Sequence, residues 1–467
     1  MSRNPPSVFR LVMLKNQHIG RFAPQGAAMA GLSIFLLLTL ALPRTQRAAG
    51  PDVRELLVAA RGVAPTICAL AADGVWSGGW GGGWSAPITP ISSDLRGRLR
   101  SLHKSPLSPD EGQALVAGLG ATDACERHLA ATLLGRSEAK SLAGQVGARL
   151  ASAAAPEKAA ALVALGMMEA ASQAEPVGRA LRDASADVRA NAAWALGRMG
   201  ARSSAPVIEA ALRDPEAVVR GAAAVALGRL ENKSSVEALL RVLRSDESAE
   251  VRRVAAWACG ELGDRSAAEG LGTALQKDAA PEVREMAAWA LAELSARDAA
   301  DALSAALRAD QSADVRETAA WALGELDARK AEPALTAALA DREPQVRATA
   351  AWALGQLELD HAPKALLDAI KDPTDEVRLR AAWALSQIGD AQAVPAVTAA
   401  LKTETHDKVR QAEIRMLLQS GNPPPDVLKD LMESKDAKTR ELAVRALAGR
   451  HAPWPWPWPQ PRPRPAP

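Results

Sequence analysis

The amino-acid sequence predicts an all-α fold, a right-handed solenoid of about ten or eleven helix pairs stacked along the chain. The first observation is a twelve-residue motif, VRETAAWALGEL at residues 315–326, that recurs along most of the sequence. The second is its spacing, because the Val that opens each copy follows the previous one by 31 or 32 residues. A fixed period of this length is typical of repeats that bury their apolar faces against neighbouring copies. The opening residues are Val188, Val219, Val251, Val283, Val315, Val346 and Val377.

The sequence pattern of each repeat predicts two helices. In residues 331–357, a first helix with Pro333 near its start is followed by a polar turn and by a second helix that begins at Pro344. Proline suits the first turn of a helix, where its missing N–H costs no hydrogen bond. At 100° per residue, four apolar residues of the second helix fall within an arc of about 80°, which predicts the face that packs on the first helix. They are Val346, Ala350, Leu354 and Leu357.

An acidic residue stands six positions before the Arg of each copy. The acid falls in the turn and the Arg at the start of the second helix, so the two side chains can bond within one repeat or across repeats. A catalytic site would not be repeated so often, and we interpret the pairs as a structural ladder. The pairs are Asp183 and Arg189, Asp214 and Arg220, Asp246 and Arg252, Asp278 and Arg284, Asp310 and Arg316, Asp341 and Arg347, and Asp372 and Arg378, with Glu404 and Arg410 as a substituted copy.

These features resemble the HEAT repeat, in the short bacterial form called the PBS-lyase HEAT-like repeat. The resemblance covers roughly residues 95–450 and rests on the period, the Asp-to-Arg spacing, the early Pro and the Val-Arg-x-x-Ala-Ala-x-Ala-Leu-Gly pattern. It implies a helical solenoid. It implies much less about function, because the family includes scaffolds, bilin lyase subunits, a di-iron hydroxylase and DNA-repair enzymes.

The composition divides the chain into five predicted parts. The long repeat region is preceded by an apolar segment and by a linker with a Gly/Trp-rich loop, which has too much glycine to hold a helix. Alternating Pro in the tail forbids helix and favours polyproline II or disorder. The parts are a basic leader at 1–26, a transmembrane or signal-anchor segment at 27–43, the linker at 44–94, the repeats at 95–450 and a Trp/Pro-rich tail at 451–467.

The run at 27–42 contains no charged residue and is ended by Pro43, while residues 1–26 carry basic residues and no acid. The run is about long enough for a short membrane span or for the apolar part of a cleaved signal peptide. Both interpretations stay open beside a buried helix of a soluble domain. Positive charge on the N-terminal side predicts a cytoplasmic N-terminus, with the solenoid extracytoplasmic and membrane-tethered, or periplasmic after cleavage.

The composition also limits partners and cofactors. A net charge of +2 argues against nucleic acid, for which a marked basic excess is usual. The three cysteines show no metal-ligand spacing, so we expect no metal or cofactor. Cys259 replaces a Leu of the repeat and is interpreted as a small core residue. Cys68 and Cys125 can pair if their compartment is oxidising.

No catalytic motif is visible, and we predict that the chain is not an enzyme. The hydroxylase branch of the resembled family uses His-Glu dipeptides as iron ligands, but none of the six histidines here is followed by Glu. The alternatives are enzyme-associated roles, as a bilin-lyase-like subunit or as the sensor tail of a membrane protease system. No residue motif in the chain supports either of them.

A row of tryptophans carries the binding hypothesis. Each stands six residues after the Val of its repeat, about 160° from the centre of the core arc. Exposed indoles in a row would form a protein- or peptide-binding surface on the second helices. The alternatives are that the indoles pack between repeats, or that the Trp/Pro-rich tail docks on them. The residues are Trp194, Trp257, Trp289, Trp321, Trp352 and Trp383, flanked by Arg198, Arg229, Glu261, Glu293, Glu325, Gln356 and Gln387.

Overall fold

The computed structural model describes residues 53–61, 107–136, 139–419, 425–434 and 437–447. The basic leader, the apolar run at 27–42, Cys68, the Gly/Trp-rich loop and the tail at 451–467 lie outside the described residues. None of the helices that the structure describes combines the length and the apolar character that a bilayer span requires.

The described chain is an array of helix pairs, which confirms the predicted all-α solenoid. A short helix, α1 (Val53–Ala59), precedes eleven pairs. The first helices are α2 (Pro109–Gly118), α4 (Ala143–Ala148), α6 (Ala174–Ala180), α8 (Ala205–Ala211), α10 (Val236–Ser245), α12 (Ala268–Lys277), α14 (Ala300–Ala309), α16 (Glu332–Ala338), α18 (Lys364–Ala369), α20 (Val394–Leu401) and α22 (Pro425–Met432). The second helices are α3 (Ala124–Arg136), α5 (Ala155–Met167), α7 (Ala186–Arg198), α9 (Ala217–Arg229), α11 (Ala249–Leu262), α13 (Pro281–Glu293), α15 (Ala313–Glu325), α17 (Pro344–Gln356), α19 (Asp375–Ile388), α21 (Asp407–Gln419) and α23 (Ala437–Leu447).

Helix α1 lies within the predicted linker but packs against the first pair. Val53, Leu57 and Ala60 are buried. The Arg61 guanidinium forms a salt bridge of 2.7 Å with the Glu126 carboxylate of α3. This part of the linker therefore covers the N-terminal end of the helix array.

The core follows the predicted arc. In α17, Val346, Ala350 and Leu354 are fully buried, as is Leu357 just after the helix. The opposite side of the helix packs closely on the next second helix. A Cβ placed on Gly355 would lie 2.8 Å from the Ala384 Cα of α19, so the two backbones are nearly in contact. Each second helix is thus buried on two sides, by its own first helix and by the neighbouring second helices.

In the eight repeats whose second helices are α5 to α19, the chain turns to the next first helix through one left-handed residue. Gly occupies this position at Gly200, Gly263 and Gly389, with φ between 62° and 70°. Glycine adopts this conformation at no steric cost, and the residue ends the helix as a C-cap. Other residues take the same conformation in the remaining repeats, namely Glu169, Glu231, Ser295, Asp327 and Glu358.

The ladder joins repeats rather than closing within one repeat. The Arg316 Nε and Nη2 donate to the Asp341 carboxylate of the next repeat at 2.7 and 2.8 Å. The same guanidinium donates from Nη1 to the backbone carbonyl of Asp310, the acid six residues earlier, at 3.0 Å. Equivalent two-pronged rungs join Arg189 to Asp214, Arg220 to Asp246, Arg252 to Asp278, Arg284 to Asp310, Arg347 to Asp372 and Arg378 to Glu404.

Each rung also fixes a turn. The Asp341 carboxylate accepts a hydrogen bond of 2.9 Å from the Glu343 backbone N–H, two residues further on. At the N-terminal end Lys158 replaces Arg and bonds Asp183. Burial alone would raise the pKa of Asp341, but the hydrogen bonds from Arg316 and Glu343 and the Arg316 charge bring that pKa below its ordinary value. The carboxylate is therefore held ionised by its partners.

A second, more exposed series of contacts runs along the opposite edge of the array. An Arg that opens a first-helix segment reaches the left-handed turn of the next repeat. Arg265 donates to the Leu294 and Ser295 carbonyls at 3.3 and 3.0 Å. Arg202 and Arg329 pair with Glu231 and Glu358 at 3.4 and 3.3 Å. Because these side chains are exposed, the second series contributes little stability.

The C-terminal repeats depart from the pattern. In α21, Arg415 replaces the Trp and is buried. Glu413 replaces a core Ala and is fully buried, and among the described residues neither of its carboxylate oxygens finds a hydrogen-bond partner. Loss of hydration, with the nearby Glu404 charge, raises the pKa of Glu413 to about 8, so the carboxyl is largely neutral at pH 7.

Arg316→Ala tests the ladder. We expect a loss of roughly 1–3 kcal/mol in the free energy of unfolding at neutral pH, because the Asp341 side chain, only 11% exposed, loses its charged partner. A lowered pKa contributes stability that is present above the ordinary value, 3.8 for Asp341, and that disappears as pH falls through the folded-state pKa. The difference between the parent and the variant should therefore shrink below about pH 4.

The measurement is urea unfolding, monitored by circular dichroism, at several pH values. Arg329→Ala is the matched control, because Arg329 and Glu358 are both 56% exposed and their bond should be worth less than about 1 kcal/mol. Equal losses for the two variants, or a loss for Arg316→Ala that is unchanged in acid, would contradict the structural role of the buried rungs.

Candidate functional site on the second helices

Four positions of each second helix lie on the side turned away from its first helix. In α15 these are Asp314, Thr318, Trp321 and Glu325, which fall within about 60° of one another at 100° per residue. We call the face formed by these positions in successive second helices the second-helix surface. It includes every tryptophan of the predicted row, together with the predicted charged flank.

The tryptophans do not form an exposed row, so this prediction is wrong and the packing alternative describes most of them. Five of the six indoles are buried, with exposed fractions of 9% or less. They lie between consecutive second helices, not on the surface of one helix. The buried residues are Trp194, Trp257, Trp289, Trp352 and Trp383.

The physical reason is a glycine in the preceding second helix. A Cβ placed on Gly324 of α15 would lie 2.8 Å from Cζ3 of Trp352 in α17, and one on Gly260 of α11 would lie 3.0 Å from Cζ3 of Trp289 in α13. The same contact joins Gly166 to Trp194, Gly228 to Trp257 and Gly355 to Trp383. Each indole thus occupies space that a side chain would fill. The Gly of the repeat motif was the sequence signal for this packing.

Trp321 is the exception among the six, because it is half-buried. The residue that faces it in the preceding helix α13 is Ala292, where the other five pairs have Gly. At the five equivalent glycines an added Cβ would lie only 2.5 to 3.0 Å from the indole Cζ3, so the methyl group of Ala292 leaves too little room for the ring. Trp321 therefore cannot enter the gap between the helices as fully as its five equivalents.

The neighbouring turn of α15 is also more open than in other repeats. Thr318 is half-buried. Its equivalents are all buried, namely Asn191, Ala222, Val254, Met286, Thr349, Arg380 and Ala412. Since Asp314 and Glu325 are exposed at the two ends, α15 presents a continuous accessible strip. We call these four residues the α15 strip.

The charged flank lies at the C-terminal ends of the second helices, as predicted. Arg198 and Arg229 are half-buried, and Glu261, Glu293 and Glu325 are exposed. Gln356 is half-buried and Gln387 exposed in the following two helices. The flank therefore changes from basic to acidic to neutral along the array.

The flank contains groups with shifted pKa values. Burial lowers the pKa of Arg229, and the adjacent Arg198 charge lowers it further. Loss of hydration around its carboxylate raises the pKa of Glu325, the Glu293 charge adds to this effect, and a hydrogen bond from the Trp321 indole opposes it. Like charges are thus held side by side in the basic part and in the acidic part of the flank, and a ligand of opposite charge would relieve their repulsion.

The structure places no metal-binding cluster of three or more His, Cys, Asp or Glu side chains within the residues that it describes. His128 of α3 is buried, and loss of hydration lowers its pKa to about 4, so the imidazole is neutral. Cys259 is fully buried, as predicted for a core residue, and burial raises the pKa of its thiol to about 12. A thiol in this state is not a nucleophile at neutral pH.

Trp289→Ala and Trp321→Ala distinguish buried from accessible indoles. We expect Trp289→Ala to cost about 3–5 kcal/mol, because it empties a filled gap between α11 and α13. Trp321→Ala should cost about 1–2 kcal/mol, because its indole is only half-buried. Urea unfolding of both variants beside the parent gives the comparison. Equal losses would show that Trp321 is packed as tightly as the others.

The comparisons with known proteins agree with this architecture. The family model described as HEAT repeats matches residues 145–228, 174–252, 236–324, 300–377 and 363–448. It describes HEAT repeats in general, so the short bacterial subtype stays a prediction. No curated protein matches the chain.

Solved structures of yeast importin-β show the same fold. Kap95p alone has a TM-score of 0.52 at 16% identity, over 76% of this chain and 59% of that one. Kap95p with RanGDP gives 0.53 at 14% identity, over 76% and 58% of the two chains, and the Kap95–Nup1 complex gives 0.51 at 16%, over 73% and 57%. This chain therefore spans somewhat more than half the length of those proteins. Because the family matches extend over more than half of the sequence, the chain belongs to the HEAT-repeat family.

Proposed function

We propose that the chain is a non-catalytic scaffold that binds a protein or peptide on its second-helix surface. The observation that carries the proposal is the α15 strip, where Thr318 and Trp321 are accessible although their equivalents are buried. A tryptophan at an accessible position is a frequent centre of protein interfaces. The solved importin-β structures with RanGDP and Nup1 support the proposal, since those solenoids bind other proteins.

The charged flank would determine the orientation in which a partner segment binds along the array. Arg198 and Arg229 lie toward the N-terminal side of the strip, Glu261 and Glu293 lie beside it, and Glu325 belongs to it. A partner with complementary charges would bind in one orientation along the array, because reversal would bring like charges together. The proposal therefore concerns an extended partner segment that crosses several repeats, not a small molecule in an enclosed pocket.

Site-specific photo-cross-linking in the native host tests the scaffold. A photoreactive residue at Glu261 or Gln387 samples the second-helix surface, and one at Thr273 or Ala337, both exposed on first helices, samples the control surface. We expect one identified protein to cross-link at both second-helix positions and at neither control. Adducts spread equally over all four positions, or confined to the controls, would refute binding on this surface.

The sequence also supports a proposal about location. We propose that residues 27–42 carry the solenoid to the extracytoplasmic side and keep it membrane-tethered, on the basis of the acid-free basic leader before an uncharged run. A reporter active only outside the cytoplasm, fused after residue 100, should be active and remain in the membrane fraction. An active but soluble and shortened fusion would show cleavage, and an inactive one would overturn the topology.

A further inference from the structure

The α15 strip has a chemistry that specifies its ligand further. We propose that Trp321, Glu293 and Glu325 form a recognition site for a cationic side chain, Arg or Lys, in the segment of the partner protein that crosses the second-helix surface. This inference rests on the proposed function and deepens it, because it assigns one class of partner to one place on the array.

The first step is the shape of the site. In the five other Trp-containing repeats, a Gly in the preceding helix lets the indole enter the gap between second helices, and the ring is buried. Ala292 prevents this for Trp321, and the helix face that carries Thr318 opens with it. The accessible ring is therefore a consequence of one methyl group in α13. It is particular to this junction and does not belong to the repeat in general.

The second step is the polarity of the ring. The only polar atom of an indole is its N–H, so the rest of the Trp321 side chain is an apolar ring. The part of the side chain left for a ligand is then the π surface. The face of a Trp ring attracts Lys and Arg cations more strongly than that of Phe or Tyr, and the contact strengthens as it loses water.

The third step is charge. Glu293 and Glu325 are exposed at the ends of α13 and α15, and each lies one helical turn beyond the Trp position of its own helix. Their charges act on one another, which is one cause of the raised pKa of Glu325. A cation bound beside Trp321 would compensate both carboxylates. A partner segment that is anionic or purely apolar would leave this repulsion in place.

A charged peptide series on the full-length protein provides the test. The probe is fluorescein-labelled hexaarginine, with hexacitrulline as the uncharged isostere, titrated at physiological ionic strength and followed by anisotropy. We expect hexaarginine to bind and hexacitrulline not to bind. Trp321→Leu and Glu325→Gln should each weaken hexaarginine binding by about five-fold or more.

Two further variants distinguish the site from a general acidic surface. Ala292→Gly should weaken binding as Trp321→Leu does, because it lets the indole sink between α13 and α15 while every ligating group is retained. Glu261→Gln is the matched control, since Glu261 holds the equivalent position in α11 beside the buried Trp257. It should change affinity by less than about two-fold. Circular dichroism confirms that each variant is folded.

Three results would overturn the inference. Equal weakening by Glu261→Gln and Glu325→Gln would show a diffuse acidic surface, and unchanged binding by Trp321→Leu or Ala292→Gly would remove the indole from the site. Tighter binding by an Arg462→Ala and Arg464→Ala double variant would identify the chain's own tail as the occupant. If hexaarginine binds as expected but cross-linking at Glu261 and Gln387 yields no protein, the site stands and the scaffold function falls. If a protein cross-links equally well to the parent and to the Trp321→Leu variant, the scaffold function stands and the cation site falls.

Discussion

The close contact between consecutive second helices is the constraint on which the rest of the structure depends. In this contact the indole of one helix occupies the space above a glycine of the preceding helix, as Trp352 does over Gly324. The backbones then approach so closely that only Ala and Gly fit beside the indole. This explains a repeat region rich in Ala without Phe or Tyr, since the Trp already fills the one large space that each junction contains.

The Arg–Asp ladder joins the same consecutive repeats near the N-terminal ends of their second helices. Each guanidinium reaches forward to the Asp of the next repeat and backward to the carbonyl of its own turn, so one side chain sets both the stacking distance and the turn. The side chains of Arg316 and Asp341 are only 7% and 11% exposed, so breaking the pair would leave a buried charge. The Gly–Trp packing and the Arg–Asp ladder therefore lie at different positions along the same second helices. Each restricts the sliding of one helix past the next that the other contact alone would allow.

The sequence predicted the features that lie within one repeat and failed for those that depend on the contact between repeats. Period and helical angle sufficed for the helix pairs and for the arc of Val346, Ala350 and Leu354, because burial on the first helix depends on direction alone. The same angular argument misplaced the tryptophans. It shows which side of a helix a residue lies on, but not how near the next helix comes. That distance depends on a Gly in a different repeat, which the angle along one helix does not reveal.

Substitutions at the Gly or Trp position of one junction change the contact between two second helices, and this effect is not visible within a single repeat. Where Val225 replaces Trp, the helices stay as close as elsewhere: a Cβ on Gly197 would lie 2.7 Å from the Ala226 Cα, against 2.8 to 3.1 Å at the five junctions that pair a Gly with a Trp. Where Ala292 replaces Gly, the gap cannot admit the ring, and Trp321 stays accessible. The Val225 substitution leaves the residues at that junction buried, whereas the Ala292 substitution leaves Trp321 accessible at the surface. In a solenoid whose regular positions are occupied by stacking, such irregular junctions are where a surface specific to this chain arises.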